Sequence, residues 1–293
     1  MSPARTLAPQ QVCRIVVLDV ATGESILVLE TDERLYEAPN WTAAGELILN
    51  GDGLLWRLLP VPGARPVRLE IQGIPELNND HVLAPDGETI YLSANDRHIY
   101  SAPLAGGTAT RITPNTGTAM HFLHGVSPDG STLAYIRLEP EDESNSGAVH
   151  TIGADGSNDT ALTDGSAHAD GSEYSPDGQR IYFNTEQFSE APGHAQIARM
   201  HPDGSNVEQL TVDERVNWFP HLSPDGTCAY FLSFPNGTTG HPADLLVDIR
   251  FVRGDDWTRA VTVASVFGGQ GTVNVNGWAP DSARFAYVEY PIS

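Results

Sequence analysis

The sequence predicts an all-β fold, a six-bladed β-propeller in which each blade is a four-stranded antiparallel sheet. Three observations support this prediction. A tetrapeptide close to Ser-Pro-Asp-Gly recurs along the chain, aromatic-rich segments of β type follow its copies, and the two ends of the chain have the form of complementary halves of one blade. Recurrence of one motif at a blade-sized interval is typical of propellers.

The tetrapeptide occurs five times in recognisable form and once, at residues 42–45, in a degenerate form that keeps the final glycine. Its copies begin at Thr42, Ala84, Ser127, Ser175, Ser223 and Ala279. They are roughly 40 to 55 residues apart, the length that a four-stranded blade needs. Ser, Pro, Asp and Gly in this order suit a type I turn, so each copy predicts the hairpin between the first and second strands of a blade.

The segments after these turns are predicted to be the second strands. Branched aliphatic and aromatic residues dominate them, as expected for strands packed within a sheet. They span residues 47–49, 90–92, 133–136, 181–183, 229–232 and 285–288. Later turns at 62–63, 106–107, 155–156, 203–204 and 254–255 predict the outer hairpins, and residues 111–113, 161–163 and 209–211 predict fourth strands.

The chain ends complete the last blade. Residues 15–19 and 25–29 have the form of third and fourth strands, whereas 273–278 and 285–288 have the form of first and second strands. Pairing of about 12–30 with 272–290 would close the ring and remove the exposed edges of an open array. We therefore expect the whole chain, residues 1–293, to form a single β-propeller domain.

Charge and hydropathy limit the partners. The chain carries 16 basic and 38 acidic residues, a net charge of −22. This charge repels phosphate backbones and anionic lipids, so we expect no nucleic-acid partner. No apolar run approaches the ~20 residues of a membrane span, and no signal peptide is visible, so the sequence predicts no membrane insertion and a cytoplasmic location, or a periplasmic one if the native start differs.

Cysteine content excludes a disulfide framework. The two cysteines, Cys13 and Cys228, are also too few for a cysteine-based zinc site. Both lie in predicted strands, where we expect them to be buried as small apolar residues.

Three insertions predict the binding face. They lie between the second and third strands of three consecutive blades, at residues 139–147, 186–194 and 235–244. Insertions on one face of a repeat protein usually mark its binding side. The acidic run in the first insertion is interpreted as a solvated loop, with a basic partner or calcium as alternatives; it comprises Glu139, Glu141, Asp142 and Glu143.

Polar residues at the starts of the inner strands predict a ligand site at the mouth of the central channel, on the same face. The candidate ligand-binding residues are Glu37, Asn79, Asp80, His121, His168, Asp170, Asn217, Trp218 and Asn274. Convergent polar groups in a concave site are typical of ligand binding. Trp41 and Trp218 could stack on a ligand, or they could pack between neighbouring blades.

Histidines in this region raise the hypothesis of a divalent metal site. Imidazole and carboxylate together suit Zn, Mn or Fe. The candidate ligands are His81, His121, His124, His168 and Asp170. The alternative is a set of hydrogen-bonded histidines at strand ends, because no pair has a recognised ligand spacing. His194, His201 and His241 are interpreted as ordinary loop or turn residues.

The Ser-Pro-Asp-Gly turn, the strand after it and the later glycine turn that ends in Leu-Thr resemble the WD40-like PD40 repeat of TolB propellers. The resemblance covers nearly the whole chain after about residue 10. Related propellers form the gating domain of prolyl-oligopeptidase-type peptidases and the catalytic body of oligogalacturonate lyases, which use histidines at the propeller mouth to hold a metal. The resemblance implies the fold and leaves the function open.

Three functions follow as hypotheses. The preferred one is a non-enzymatic TolB-like module that binds a protein, peptide or small ligand through the channel mouth and the inserted-loop face, without a cofactor. The second is a metal-dependent lyase or hydrolase acting on sugars, similar to oligogalacturonate lyase. The third is a structural scaffold with its partner at the turn face. Peptidase activity is not expected, since the sequence has no Gly-x-Ser-x-Gly nucleophile motif.

Overall fold

The structure is a computed structural model that describes residues 4–115, 117–140 and 146–292. Two strands precede the first complete blade: β1 (Cys13–Asp19) and β2 (Ser25–Thr31). Blade one consists of β3 (Glu37–Trp41), β4 (Leu47–Gly51), β5 (Leu54–Leu58) and β6 (Val67–Leu69). The short β7 (Ile71–Gln72) leads into blade two, which contains β8 (Leu77–Leu83), β9 (Thr89–Ala94), β10 (Ile99–Pro103), β11 (Gly107–Thr108) and β12 (Thr110–Arg111).

The remaining blades follow in chain order. Blade three consists of β13 (Met120–Val126), β14 (Thr132–Leu138), β15 (Gly147–Gly153) and β16 (Thr160–Ala161). Blade four consists of β17 (Ala169–Tyr174), β18 (Ile181–Thr185), β19 (Gln196–Met200) and β20 (Glu208–Gln209). Blade five consists of β21 (Val216–Leu222), β22 (Cys228–Phe234), β23 (Ala243–Arg253) and β24 (Val261–Gly269), with one 3-10 turn at Trp257–Arg259. The last strand is β25 (Arg284–Glu289).

Within each blade the main strands pair antiparallel, and the six blades confirm the predicted propeller. Blades one to five each contain a four-stranded sheet in which the innermost strand comes first in the chain. A small parallel pair between β7 and β11 adds a tie between the outer ends of blades one and two. Among the described residues, no helix is long and apolar enough to cross a membrane.

The repeated tetrapeptide forms the predicted turn. In blade three the Gly130 N–H donates to Ser127 O at 2.8 Å, and the Ser127 hydroxyl donates to Asp129 Oδ1 at 2.6 Å. Gly130 has φ +75°, a left-handed conformation that glycine adopts without steric cost. The last copy has Ser282 at the glycine position, with φ +58°.

The N-terminal strands close the ring, as predicted. Strand β1 pairs antiparallel with β25, from Arg14 opposite Glu289 to Asp19 opposite Arg284. The paired strands are buried in two apolar clusters: Ile15 and Val17 of β1 pack in one cluster with Ala286 and Val288 of β25, and Leu18 and Phe285 belong to the other. Burial of these apolar side chains stabilises the closed ring.

The innermost segment of blade six is less regular than the sequence predicts. Residues 273–278 run alongside β25 and form hydrogen bonds with it, such as Ala286 N–H to Gly277 O at 2.8 Å. Among these residues, only Trp278 forms a β-bridge with β25, opposite Phe285. Asparagine side chains take part of the backbone hydrogen bonding: Asn274 Oδ1 accepts from Gly271 N–H at 2.7 Å, and Asn276 Oδ1 accepts from Trp278 N–H at 3.0 Å. Such local bonds compete with a strand ladder.

A buried polar network joins blades four, five and six. His221 Nδ1 lies 2.7 Å from Glu173 Oε2, and its Nε2 lies 2.7 Å from Val273 O. Glu173 Oε1 accepts from Asn276 Nδ2 at 2.8 Å. Both ring nitrogens of His221 lie within hydrogen-bond distance of an oxygen, so this imidazole links blades four, five and six.

Candidate functional site

A cavity of about 690 Å³ occupies the mouth of the central channel, where the inner strands begin. The predicted ligand-site residues in its wall are Glu37, Asn79, Asp80, His168, Asp170, Trp218 and Asn274. His124, predicted as a metal ligand, also lines it. A second cavity, of about 980 Å³, lies at the opposite turn face and includes Trp41.

β-Bulges shape this mouth. The inner strands β3, β8, β13, β17 and β21 each lose register against the second strand of their blade. At two of these bulges a non-glycine residue has positive φ, Ala38 at +55° and Phe219 at +54°. A bulge redirects side chains that would otherwise alternate across the sheet, and such bulges recur beside functional sites.

The centre of the cavity wall contains an ion pair between blades three and four. His124 Nε2 lies 2.8 Å from Asp170 Oδ1, and His241 Nε2 lies 3.7 Å from Asp170 Oδ2. Burial lowers the pKa of His124, but the nearby Asp170 and Asp80 carboxylates outweigh it and raise that pKa to about 9. For Asp170, burial raises the pKa, but His124 outweighs this effect and holds it well below the ordinary range. At neutral pH the pair is therefore an imidazolium and a carboxylate.

Asp80 adds a group that can exchange a proton near neutral pH. Its side chain is 5% exposed, and one carboxylate oxygen accepts from Asn78 Nδ2 at 2.9 Å. Burial raises the pKa of Asp80 to about 7, although His124 opposes this shift. Carboxyl groups perturbed in this way are concentrated at functional sites.

An arginine at the N-terminal end of the described chain enters the same mouth. Arg5 Nη1 lies 3.1 Å from Glu37 Oε1 and 2.5 Å from Gln270 O. The Arg5 guanidinium also lies over the Tyr290 ring, 4.7 Å from its centroid. Burial raises the pKa of Glu37, and Arg5 opposes that shift. Arg5 therefore supplies the positive charge that faces this buried carboxyl group.

Aromatic side chains form the part of the wall beside the His124 and Asp170 pair. The Trp218 ring lies 4.5 Å from the His241 ring and 5.7 Å from the His168 ring, and Phe219 lies 5.0 Å from His241, all between centroids. Trp218 is almost fully buried, so it packs in the core while contributing to the cavity wall. Within the described ranges, the buried atoms Trp218 Nε1 and His124 Nδ1 have no hydrogen-bond partner.

Three of the predicted residues lie elsewhere. His81 is buried outside the cavity, where burial lowers its pKa to about 4. His121 Nδ1 lies 2.6 Å from Arg97 O, and its ring stacks on His98. Asn217 donates to Gln196 Oε1 at 3.2 Å, behind the wall.

The predicted metal ligands are thus divided. His124, His168 and Asp170 line the cavity, whereas His81 and His121 do not. His168 Nδ1 accepts the Gly147 N–H at 2.9 Å, which leaves only its Nε2 to act as a ligand. In residues 4–115, 117–140 and 146–292, no group of three or more His, Cys, Asp or Glu side chains is arranged to hold a metal ion.

The described parts of the inserted loops contribute less to the cavity than the length of the loops suggests. Among the described residues of the three insertions, Gly240 and His241 of the insertion at 235–244 are the ones that line it. Glu139 pairs with Arg137 at 2.6 Å, while Glu141, Asp142 and Glu143 lie outside the described residues. Sequence reasoning missed Arg5, Gln270 and His241, none of which belongs to the repeated turn that guided the prediction. Cys13 and Cys228 are free and buried, as predicted.

Comparison with known proteins identifies relatives over almost the whole chain. No protein-family model matches. An uncharacterized protein of Agrobacterium fabrum is 36% identical over 281 residues, which cover 94% of this chain and 92% of the relative. A solved structure from Agrobacterium tumefaciens, described as a candidate TolB, is 35% identical and has a TM-score of 0.87. The match covers 96% of this chain and 99% of that structure.

More distant structures share the fold alone. TolB from Acinetobacter baumannii is 16% identical with a TM-score of 0.61, and the match covers 88% of this chain and 64% of that TolB. An oligogalacturonate lyase in complex with manganese is 14% identical with a TM-score of 0.58, and the match covers 91% of this chain and 75% of the lyase. Together with the six-bladed ring and its Ser-Pro-Asp-Gly turns, the two Agrobacterium relatives show that this chain belongs to the TolB-like six-bladed β-propeller family.

Proposed function

We propose that this propeller is a binding module whose ligand, a protein, a peptide or a small molecule, enters the channel mouth from the inserted-loop face, without catalysis or a nucleotide cofactor. The cavity of about 690 Å³ carries the proposal. Its volume lies within the range of ligand sites, and such sites combine an apolar wall with a few fixed polar groups. Here Trp218 and Phe219 supply the apolar surface, and Asp80 and Asp170 supply the polar groups.

The polar groups support a role in recognition. The His124 and Asp170 pair and the carboxyl group of Asp80 are buried, and buried ionisable groups destabilise a fold unless they are paired. Their concentration at an open mouth is typical of a functional surface. The net charge of −22 supports the exclusion of nucleic acids and anionic membranes from the partners.

Affinity purification with quantitative mass spectrometry tests this proposal. Proteins and small molecules that co-purify with the wild type are compared with those of His241→Ala, at the mouth, and Gln179→Ala, at the turn face. We expect specific binders to be lost with His241→Ala and retained with Gln179→Ala. The opposite result would favour the scaffold hypothesis, in which the partner occupies the turn face.

The second hypothesis, a metal-dependent lyase or hydrolase acting on sugars, stays a prediction. Elemental analysis of protein purified without an affinity tag tests it. Metal bound in near-stoichiometric amount and lost in His124→Ala would support lyase or hydrolase chemistry on sugars. Cell fractionation tests the predicted cytoplasmic location.

A further inference from the structure

The channel mouth contains a binding site for a guanidinium group, called the seat below, which Arg5 occupies. It is formed by Glu37, Gln270, Asp244 and Tyr290. Two acceptors contact Arg5 Nη1, Glu37 Oε1 at 3.1 Å and Gln270 O at 2.5 Å, and Asp244 Oδ1 lies 3.4 Å from Nη2. The Tyr290 ring covers one face of the group. A planar fork that meets separate acceptors at its edge and an aromatic ring at its face is the geometry by which proteins recognise guanidinium rather than ammonium.

Residues other than Arg5 hold this seat in place. The Tyr290 hydroxyl donates to Tyr36 O at 2.8 Å, and Ala38 N–H donates to Gly271 O at 2.8 Å, next to Glu37. At Gly271, with φ +88°, a Cβ atom would lie 2.5 Å from both Glu37 Oε1 and the Tyr290 hydroxyl oxygen. The glycine therefore leaves the space that the carboxylate and the phenol need. None of these contacts involves Arg5.

The segment that delivers Arg5 is attached more weakly than the seat itself. Thr6 and residues 8–10 are exposed, Leu7 is partly buried against a core cluster, and the firm anchor is Gln11, whose side chain bonds to Asp244 Oδ1 at 2.7 Å and Tyr290 O at 3.1 Å. The Arg5 side chain retains 23% exposure, and Ala4 and Arg5 line the cavity. Segments with few buried apolar contacts open at low free-energy cost.

We propose that the cavity takes a guanidinium-bearing ligand, either an arginine side chain of a peptide or a small guanidino compound, in the seat that Arg5 holds. Arg5 is then a tethered competitor. A tethered group acts at an effective concentration in the millimolar range. A free ligand can bind only to molecules in which Arg5 has left the seat, so its apparent affinity falls in proportion to the fraction of molecules in which the seat is open. The proposal rests on the binding function proposed above and names the class of ligand. The net charge of −22 attracts such a cation.

Isothermal titration calorimetry at low ionic strength tests the seat with two probes, agmatine and an acetyl-Gly-Arg-Gly-amide peptide. We expect Arg5→Ala to bind at least one probe ten-fold or more tightly than the wild type does. Binding of agmatine identifies a small guanidino compound as sufficient, whereas binding of the peptide alone identifies an arginyl peptide. Arg14→Ala is the matched control, since Arg14 pairs with Glu30 and Glu289 on the outer surface, and it should behave as wild type.

Glu37→Gln in the Arg5→Ala background should abolish binding, because it removes the carboxylate and keeps the shape. Circular dichroism melts establish that each variant is folded. A third probe, the acetyl-Gly-Lys-Gly-amide peptide, tests selectivity for guanidinium over ammonium. The inference would be overturned if neither guanidinium probe bound to folded Arg5→Ala, if Arg5→Ala and wild type bound them equally, or if the lysine peptide bound as tightly as the arginine peptide. If co-purifying binders still depend on His241 in that case, the binding function stands and only the ligand class is wrong.

Discussion

Asp80 provides a test of whether the cavity contains groups that destabilise the fold. Burial raises the pKa of its carboxyl group from 3.8 to about 7. The folded protein therefore keeps this proton up to about pH 7, whereas the unfolded chain loses it near pH 4. A folded-state pKa above the unfolded value means that stability present at low pH is lost as the pH rises through this window. Between pH 5 and pH 8 the loss amounts to roughly 3 kcal/mol.

Asp80→Asn removes this titration. The stability that the raised pKa of His124, about 9, gives the fold is also lost above about pH 6.5. Because the Asp80 carboxylate helps to raise that pKa, this loss is smaller in the variant, and the difference in free energy of unfolding between wild type and variant includes both effects of Asp80. We expect the free energy of unfolding of the variant, relative to that of the wild type, to increase by roughly 3 kcal/mol from pH 5 to pH 8. Urea unfolding followed by tryptophan fluorescence measures it at both pH values.

The exposed Asp32 offers a matched control, because Asp32→Asn removes a carboxylate without changing a buried site. Its free energy of unfolding should follow the wild-type pH profile. If Asp80→Asn and wild type also gave parallel profiles, within about 0.5 kcal/mol, the assignment of a buried, protonated Asp80 would be wrong.

Three further changes test the fold. Glu173→Gln removes the buried carboxylate beside His221 Nδ1 and should cost about 3 to 5 kcal/mol in urea unfolding, whereas Glu208→Gln, in an exposed pair, should cost less than about 1 kcal/mol; equal costs would contradict a structural role for the buried Glu173 side chain. Gly130→Ala places a Cβ at φ +75°, where the near neighbour is Pro85 Cδ at an ordinary contact distance of 3.8 Å, and should cost about 1 to 2 kcal/mol through backbone strain, so an unchanged melting temperature would contradict the turn geometry. Deletion of residues 1–31 removes β1 and β2 and exposes the edge of β25; size-exclusion chromatography should show aggregation, and a folded monomer would argue against ring closure by these strands.

The fold was predictable because its turns require particular residues. A type I turn that ends in a left-handed residue favours Ser, Pro, Asp and Gly at fixed places, and the copies in blades two to five retain Pro, Asp and Gly. The complementary ends of the chain then implied the closure between β1 and β25. The irregular segment 273–278 was not predictable, because Asn274 and Asn276 bond to nearby backbone groups that a strand pattern assigns to the ladder.

The site was predictable only in part, since bulges interrupt the alternation on which the sequence argument depends. In β8 the neighbours Asn79 and Asp80 both line the cavity, while His81 turns away. His241 and Arg5 come from a loop and from the N-terminal segment, and neither position follows the repeat. Their approach to Asp170 and Glu37 depends on ring geometry that no local pattern encodes.

The closure between β1 and β25 also constrains how the chain folds during synthesis. Arg14 and Glu289 pair across 275 residues of sequence, so the ribosome releases the hairpin of β1 and β2 long before its partner exists. Blades one to five can each fold from local contacts as they emerge, but the contacts that close the ring form last. Until then the hairpin edge and the apolar face of blade five stay open, and this interval is when we expect the nascent protein to depend most on chaperones.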